Sequence, residues 1–501
     1  MVRQLLDHHE SKFQRMLEIL PGSLAWGIIF FPAIGGFFIP EVVAYAVIIF
    51  LAYWFYRSFQ SAILGVRGYF LLKTWEKTNW QKKWQGFKGD KVAWDEVKHV
   101  ILIPNYNESA EKIAGTLASL ASQKQVDLKS LLVFLAMEER AQDSPERAKK
   151  LLGQFRGKFG GLYTTFHPDG IIGEVRGKAS NEAWAAKEAK KILDARRIDI
   201  RNVTATSCDA DTNFHSLYFA SLTYYFATNT SRYLRFWQSP IFWYNNLVRI
   251  PFPIRIVGVI GHAIHLASLQ EPTRLIFNYS CYSLSFKLLN DVGYWHTDII
   301  PEDWHLFLQT FFAKKGKIEV EPLFLPTSID AAESKTWLGS LKNRYEQCKR
   351  HAWGATDIAY AVKEAIRHPE IPRLTRFLRI YKLIETHIIW STNWFMLTLG
   401  ATLPVILNPA FSRTALGYNL PKLAESVLTT CLAALVVMIL LDFVLRPKHA
   451  KPQTIFAVIR EVLQWVTLPV STLAMSVIPG LDSQTRLMFG RRLEYRVTEK
   501  V

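Results

Sequence analysis

Asp209 and Asp211 stand one residue apart at the end of a β-branched run, Val203 to Ser207, in the stretch VTATSCDADTN. On an extended chain, side chains at i and i+2 share one side, so the two carboxylates could aim at one hard cation, Mg²⁺ or Mn²⁺, and through it hold a diphosphate. Short Asp-x-Asp turns are also common on protein surfaces, so the pair needs company elsewhere in the chain. Lys178 lies in Arg176-Gly177-Lys178-Ala179-Ser180-Asn181, ahead of an alanine-rich helix predicted from Glu182 to Leu193. A lysine beside a helix N-terminus can face phosphate oxygens, although most basic turns of this kind are merely solvated. Pro301-Glu302-Asp303-Trp304 precedes an apolar helix predicted from Leu306 to Phe312. Acids there favour the positive end of the helix; the chemical alternative is a general base that takes the proton from an attacking hydroxyl. Gln347, Arg350 and Trp353 follow one another at intervals of three and would share a helix face. Arginine grips phosphate bidentately, and tryptophan offers a flat surface to a sugar ring.

Strands must deliver these residues to one place. Val100 to Ile103, closed by Pro104, and Leu131 to Ala136 are short apolar runs, with a helical pattern from Ala110 to Ser122 between them. Strand, helix, strand implies a right-handed βαβ unit in a mainly parallel sheet, and such sheets bind ligands at the carboxyl ends of their strands. Asn105, Tyr106, Asn107 and Glu108 follow the first strand, and Met137, Glu138, Glu139 and Arg140 follow the second. Val203 to Ser207 is the third strand and delivers the aspartates.

Half of the 501 residues are hydrophobic, a composition that points to a membrane. The formal charge of +17 comes from 60 Lys+Arg against 43 Asp+Glu. Such an excess serves nucleic acid, anionic lipid or phosphate-bearing substrates; no zinc-finger or RNA-binding motif is present, so nucleic acid is not an expected partner. Cys208, Cys281, Cys348 and Cys431 show no paired spacing and read as unpaired thiols in a reducing compartment.

Residues 1–99 read as an amphipathic start, Met1 to Glu18, and a transmembrane hairpin, Leu24 to Ile39 and Val42 to Phe55, turning at Pro40-Glu41. Arg57, Arg67, Lys73, Lys77, Lys82 and Lys83 then mark a cytoplasmic flank. Residues 100–385 read as a soluble middle domain. Within it, Phe242 to Leu269 mixes aromatics with Arg249 and Arg255 and reads as helix lying in the membrane surface. Residues 386–501 hold two further spans, His387 to Leu407 and Ser426 to Leu445, an ambiguous stretch from Val462 to Ile478, and a basic tail of Arg486, Arg491, Arg492 and Arg496. If the ambiguous stretch is re-entrant, the tail stays cytoplasmic.

Taken in order, IPNYNE (Ile103 to Glu108), GKASN (Gly177 to Asn181), CDAD (Cys208 to Asp211), PED (Pro301 to Asp303) and QCKRHAW (Gln347 to Trp353) resemble the motifs of processive-type family 2 membrane glycosyltransferases, relatives of cellulose, chitin and hyaluronan synthases. The resemblance covers Val100 to Gly354. It implies an α/β GT-A domain inserted between transmembrane helices, a mixed, mostly parallel sheet with interfacial helices, and inverting transfer from a nucleotide-diphosphate sugar, a UDP-sugar foremost. By that resemblance Asp209 and Asp211 hold Mg²⁺ or Mn²⁺, Asp303 is the base with Glu302 beside it, and Asn107, Glu108, Glu138, Lys178, Asp209, Gln347 and Arg350 bind the donor. Trp353 and Trp304 would meet the acceptor. Two departures stand out: Glu138 occupies the place of the usual aspartate, and His351-Ala352 separates Arg350 from Trp353. The implied acceptor is a growing cell-surface polysaccharide, and the implied place is a bacterial inner or plasma membrane, with the catalytic domain cytoplasmic. Single transfer to a lipid acceptor, a polyprenyl phosphate or glycolipid, is the enzymatic alternative. A transporter or inactive scaffold is the alternative of another class, but the C-terminal apolar runs carry almost none of the mid-helix ionisable residues a transporter uses.

Overall fold

The structure, a computed structural model, describes residues 10–452 and 454–493. The first nine residues of the expected amphipathic start, and Arg496 of the tail, lie outside them. Helix α1 (Glu10–Phe38) and helix α2 (Pro40–Glu76) are separated by Ile39 alone. Pro40 opens α2, where its fixed φ and missing N–H cost nothing. At 1.5 Å per residue α2 is about 55 Å long, well beyond a hydrocarbon core of about 30 Å. Arg57, Arg67 and Lys73, expected in a flank after the hairpin, are therefore part of the same helix.

The domain that follows is built on a seven-stranded sheet. Its elements are β1 (Lys98–Pro104), α3 (Ala110–Ala121), β2 (Leu131–Glu138), β3 (Gly161–His167), α4 (Lys178–Ala195), β4 (Val203–Ser207), β5 (Arg235–Gln238), α5 (Phe252–Ser268), β6 (Tyr282–Ser285), α6 (Glu302–Ala313) and β7 (Glu319–Pro322). The strand order is β3-β2-β1-β4-β6-β5-β7. Strands β3, β2, β1 and β4 run parallel, β6 runs antiparallel to both β4 and β5, and β7 is parallel to β5. The sheet is mixed and mostly parallel, as the sequence pattern predicts.

Strands covered on both faces read as unbroken apolar runs, and the pleat divides them by alternation. Val100, Leu102, Leu132 and Phe134 face one core with Ala179, Ala183, Ala186 and Ala189 of α4, whose small side chains let the helix lie close. Ile101, Ile103, Val133 and Leu135 face the other, against Ile113, Leu117 and Leu120 of α3. A smaller three-stranded sheet joins Asn213–Phe214, Thr327–Ser328 and Ile241–Phe242. Phe242 is thus strand, and the segment read as interfacial helices from Phe242 to Leu269 is helical only within α5, because Pro251 and Pro253 confine the helix start.

The chain continues through α7 (Trp337–Ala352), α8 (Thr356–Arg367), α9 (Arg373–Leu399), α10 (Ala415–Leu445) and the helical path α11 (Ile455–Met488), which includes 3₁₀ and π turns. Among the described residues four helices, α1, α2, α10 and α11, are long and apolar enough to cross a membrane. This differs from the expected set in one place. The run from His387 to Leu407 is not one helix, since α9 ends at Leu399 and a short helix, Leu403–Leu407, follows; its place is taken by α11, which contains the stretch that reads as ambiguous. Lys382, Glu385, Ser391, Thr392 and Asn393 lower the apolar character of α9, whereas the prolines of α11 are absorbed at turns without ending the helix.

Helix α5 seats the domain on α2 and α10. A Cβ on Gly68 of α2 would lie 2.6 Å from Leu266 Cγ, so only glycine allows that approach. Beneath it, Asp442 of α10 accepts hydrogen bonds from Tyr244 Oη at 2.9 Å and His262 Nδ1 at 3.2 Å, and pairs with Arg446, which also reaches Glu461 at 2.6 Å. All four cysteines are buried and unbridged.

Candidate functional site

Four of the chemically suspect residues meet at the carboxyl end of β4. Lys178, the first residue of α4, places its Nζ 3.3 Å from Asp209 Oδ1, 3.1 Å from Glu302 Oε1 and 3.0 Å from the Ser280 carbonyl. Ser280 ties the group together: its hydroxyl donates to Asp209 Oδ2 at 2.8 Å and its backbone N–H donates to Asp303 Oδ2 at 3.1 Å. The other oxygen of Asp303 accepts from the Trp304 N–H at 2.8 Å, and the positive end of α6 favours a carboxylate in this first turn. Asn278 Nδ2 donates to the Asp303 carbonyl at 3.0 Å. Lysine, aspartate and the PED acids, drawn from a stretch of more than a hundred residues, thus meet at the strand ends.

Ser280 is the residue that sequence reading missed. It has a φ of 53°, in the left-handed region that non-glycine residues seldom adopt, and this turn lets both its hydroxyl and its N–H face the cleft. In the sequence it is one serine in Phe277-Asn278-Tyr279-Ser280 ahead of a strand, with nothing in spacing or type to mark it.

Electrostatics follow from crowding. Burial pulls the Lys178 ammonium down, but Asp209, Glu302 and Glu182 outweigh it and hold its pKa well above the ordinary lysine value, so it is a cation throughout the physiological range. Burial first, and the neighbouring Glu302 carboxylate second, push Asp303 up to about 7, against the pull of the Ser280 N–H and Lys178. Glu182, one turn along α4 and fully buried, accepts from Ser207 Oγ at 2.6 Å. Burial pushes it up to about 8.

The two aspartates stand on a turn beyond the strand end. Strand β4 stops at Ser207 and the chain turns, with Thr212 N–H donating to the Asp209 carbonyl at 3.1 Å, so the extended geometry expected for the pair is lost. Asp209 keeps 27% of its side chain exposed at the cleft, while Asp211 is buried and accepts from the Asp330 N–H at 3.0 Å. Among the described residues no group of three or more His, Cys, Asp or Glu side chains is placed to hold a metal ion. What the residues fit is a hard cation resting on the Asp209 carboxylate and completed by oxygens of a bound phosphate, the way Mg²⁺ is commonly held.

The residues expected at the nucleoside stand at the ends of β1 and β2. Asn107 is exposed, and Glu108 folds back to accept from the Tyr106 N–H at 2.7 Å. Glu138, buried at the last position of β2, pairs with Arg140, whose guanidinium lies 4.1 Å from the centre of the Tyr106 ring. Glu138 and Arg140 form one wall of a small recess of about 60 Å³. His167, hydrogen-bonded to Glu174 at 2.8 Å, and Arg176, paired with Asp169 at 2.9 Å, line the rest. The recess and the lysine cluster are linked through Arg176-Gly177-Lys178.

Helix α7 is helical as predicted, but ends at Ala352, so Trp353 begins a 3₁₀ turn and leaves the register shared by Gln347 and Arg350. Gln347 accepts from Arg344 Nη1 at 2.9 Å on its own helix, Arg350 is partly exposed, and Trp353 is only 7% exposed within the core. Trp353 is therefore a packed side chain where a sugar-stacking surface was expected. Trp304 stacks on Phe277 at 4.7 Å and meets His387 of α9 edge-on at 5.6 Å.

Fold and site together define an α/β domain with a lysine–carboxylate cleft at the ends of its parallel strands, joined to long apolar helices. No protein-family model matches the chain, and no curated protein matches it. Among solved structures the chain is similar to a mannosyltransferase from Pyrobaculum calidifontis in complex with GDP-Man and Mn²⁺, at 15% identity over 83% of this chain and 97% of that one, with a TM-score of 0.38.

Proposed function

We propose that this protein is a membrane-embedded, inverting glycosyltransferase of the GT-A, family 2 type, which moves a sugar from a nucleotide-diphosphate sugar to a growing polysaccharide. The observation that carries the reading is the convergence of Lys178, Asp209 and Asp303 on Ser280 at the strand ends, with Glu302 paired to Lys178. The order of the five sequence motifs supports it independently.

In this reading the nucleoside occupies the recess beside Glu138, Arg140 and Tyr106, and the diphosphate runs along Arg176-Gly177-Lys178 toward Asp209. Asp303 accepts the proton of the acceptor hydroxyl as that oxygen attacks the anomeric carbon, and the nucleoside diphosphate leaves from the opposite side. Its pKa near 7 suits a base that must be largely ionised yet still take a proton. Lys178, joined to the base through Ser280, is a fixed ammonium that stabilises charge gathering on the leaving diphosphate. Glu302 holds Lys178 in place through their ion pair. A divalent cation on Asp209 and the phosphates would add further charge neutralisation. The apolar helices would hold the cleft near the bilayer, where a lipid-linked or exported acceptor arrives.

The test is direct. Protein in nanodiscs is given a panel of UDP- and GDP-sugars with Mn²⁺ or Mg²⁺, and diphosphate release and product size are followed. Long product is the expected result. A single-sugar lipid would replace the polymer with the lipid acceptor, and silence with every donor would leave the transporter or scaffold.

A further inference from the structure

His387 is buried, with 2% of its surface exposed, and among the described residues neither of its ring nitrogens has a hydrogen-bond partner. Buried polar groups are nearly always bonded, so an imidazole left with two idle nitrogens calls for an account. Its surroundings are not short of polar groups. Gln484 of α11 donates to the His387 carbonyl at 2.8 Å and is itself bonded to Ser391 at 3.0 Å, so these groups satisfy one another and leave the ring out.

The ring stands on the catalytic side of α9. It meets Trp304 edge-on at 5.6 Å, and Trp304 is the residue whose N–H holds Asp303. On another side it adjoins Gly354, where a Cβ would come within 3.2 Å of Cε1, 3.4 Å of Nε2 and 3.9 Å of Pro301 Cβ, so a side chain there would press on the ring next to the PED loop. A neutral imidazole carries one donor and one acceptor, which matches a sugar hydroxyl and its neighbouring oxygen; an anionic phosphate would call for donors at both nitrogens.

We propose that His387 binds the carbohydrate end of the acceptor, hydrogen-bonding a sugar hydroxyl beside Trp304 so that the attacking oxygen is held against Asp303. The proposal rests on the glycosyltransferase reading above. It separates the acceptor side of the cleft, carried by α9, from the donor side, carried by α4 and β4.

The test uses the full chain in nanodiscs with His387→Leu and His387→Gln, the donor that the panel above identifies, and purified product oligosaccharide as acceptor. Leucine fills the volume without the nitrogens; glutamine restores one donor and one acceptor. His387→Leu should keep the thermal midpoint, the donor KM and diphosphate release to water, while kcat/KM for the acceptor falls by about tenfold or more. His387→Gln should recover part of that loss. Acceptor kcat/KM within about twofold of the parent in both variants would overturn the proposal, as would equal losses in donor and acceptor parameters, the mark of a structural role. If the leucine variant does not fold, His387→Met takes its place under the same criteria. Silence of the parent with every donor defeats the glycosyltransferase reading itself, a result distinct from either outcome for His387.

Discussion

Turnover should be controlled by the ionisation of Asp303, and the size of the effect can be worked from the cleft. An ordinary aspartate near 3.8 would give a flat rate from pH 5 to 9, whereas burial and Glu302 raise Asp303 to about 7. A single group with that pKa is about 10% ionised at pH 6 and about 90% at pH 8, so kcat/KM should rise about ninefold over that interval and fall about tenfold per pH unit below it. Asp303→Asn should reduce transfer by roughly a hundredfold to ten-thousandfold, with donor binding retained. Glu302→Gln removes the second cause of the shift and should move the acid limb to lower pH, without returning it to the ordinary carboxylate range, because burial is the larger cause. The stability sign is opposite to that of activity. Folded Asp303 holds its proton between about pH 4 and 7, where the unfolded chain has lost it, so its contribution to stability declines as pH rises through that window. Asp303→Asn should therefore melt above the parent at pH 8 while being inactive. The assay is diphosphate release in nanodiscs from pH 5 to 9, with thermal melts at the ends of the range. A flat profile for the parent, or an acid limb unmoved in Glu302→Gln, would refute the base assignment.

Three more outcomes follow from single contacts. Ser280→Gly keeps the N–H to Asp303 and relieves the positive φ but loses the hydroxyl on Asp209, so donor KM should rise several-fold while the acid limb stays in place. Glu182 is protonated in the fold up to about pH 8 but ionised above about pH 4.5 when unfolded, so its contribution to stability falls across that interval; Glu182→Gln should melt higher than the parent at pH 8 and equally at pH 4. Asp442→Ala leaves buried Arg446 with Glu461 alone and should destabilise the chain by about 3 kcal/mol, read as a lowered denaturation midpoint, whereas replacing surface Asp194 should change little.

Much of the architecture was legible because it depends on local pattern. Val100 to Ile103, Leu131 to Ala136 and Val203 to Ser207 read as strands, and are strands, since apolar runs of that length flanked by breakers have few other stable forms. Helix α4 was likewise expected, though from Glu182; it begins one turn earlier, at Lys178. Membrane segments were less legible where polarity and proline compete: α9 looked like a span and is not long and apolar enough, while α11 looked broken and is helical throughout. Trp353 shows the same limit, since a spacing of three predicts one face only while the helix lasts, and α7 ends one residue too soon.

By itself, the sequence determined the strand–helix order, the presence of long apolar helices, and the residue types able to do acid–base and phosphate chemistry, because periodicity and composition act over neighbouring residues. Tertiary structure alone decided that Ser280 bridges Asp209 and Asp303, that Asp209 and Asp211 stand on a turn instead of an extended strand, and that His387 reaches Trp304. Those relations join residues 71, 23 and 83 positions apart or hang on one backbone turn, and contacts of that range arise only when sheet order and helix packing bring the ends of distant elements together.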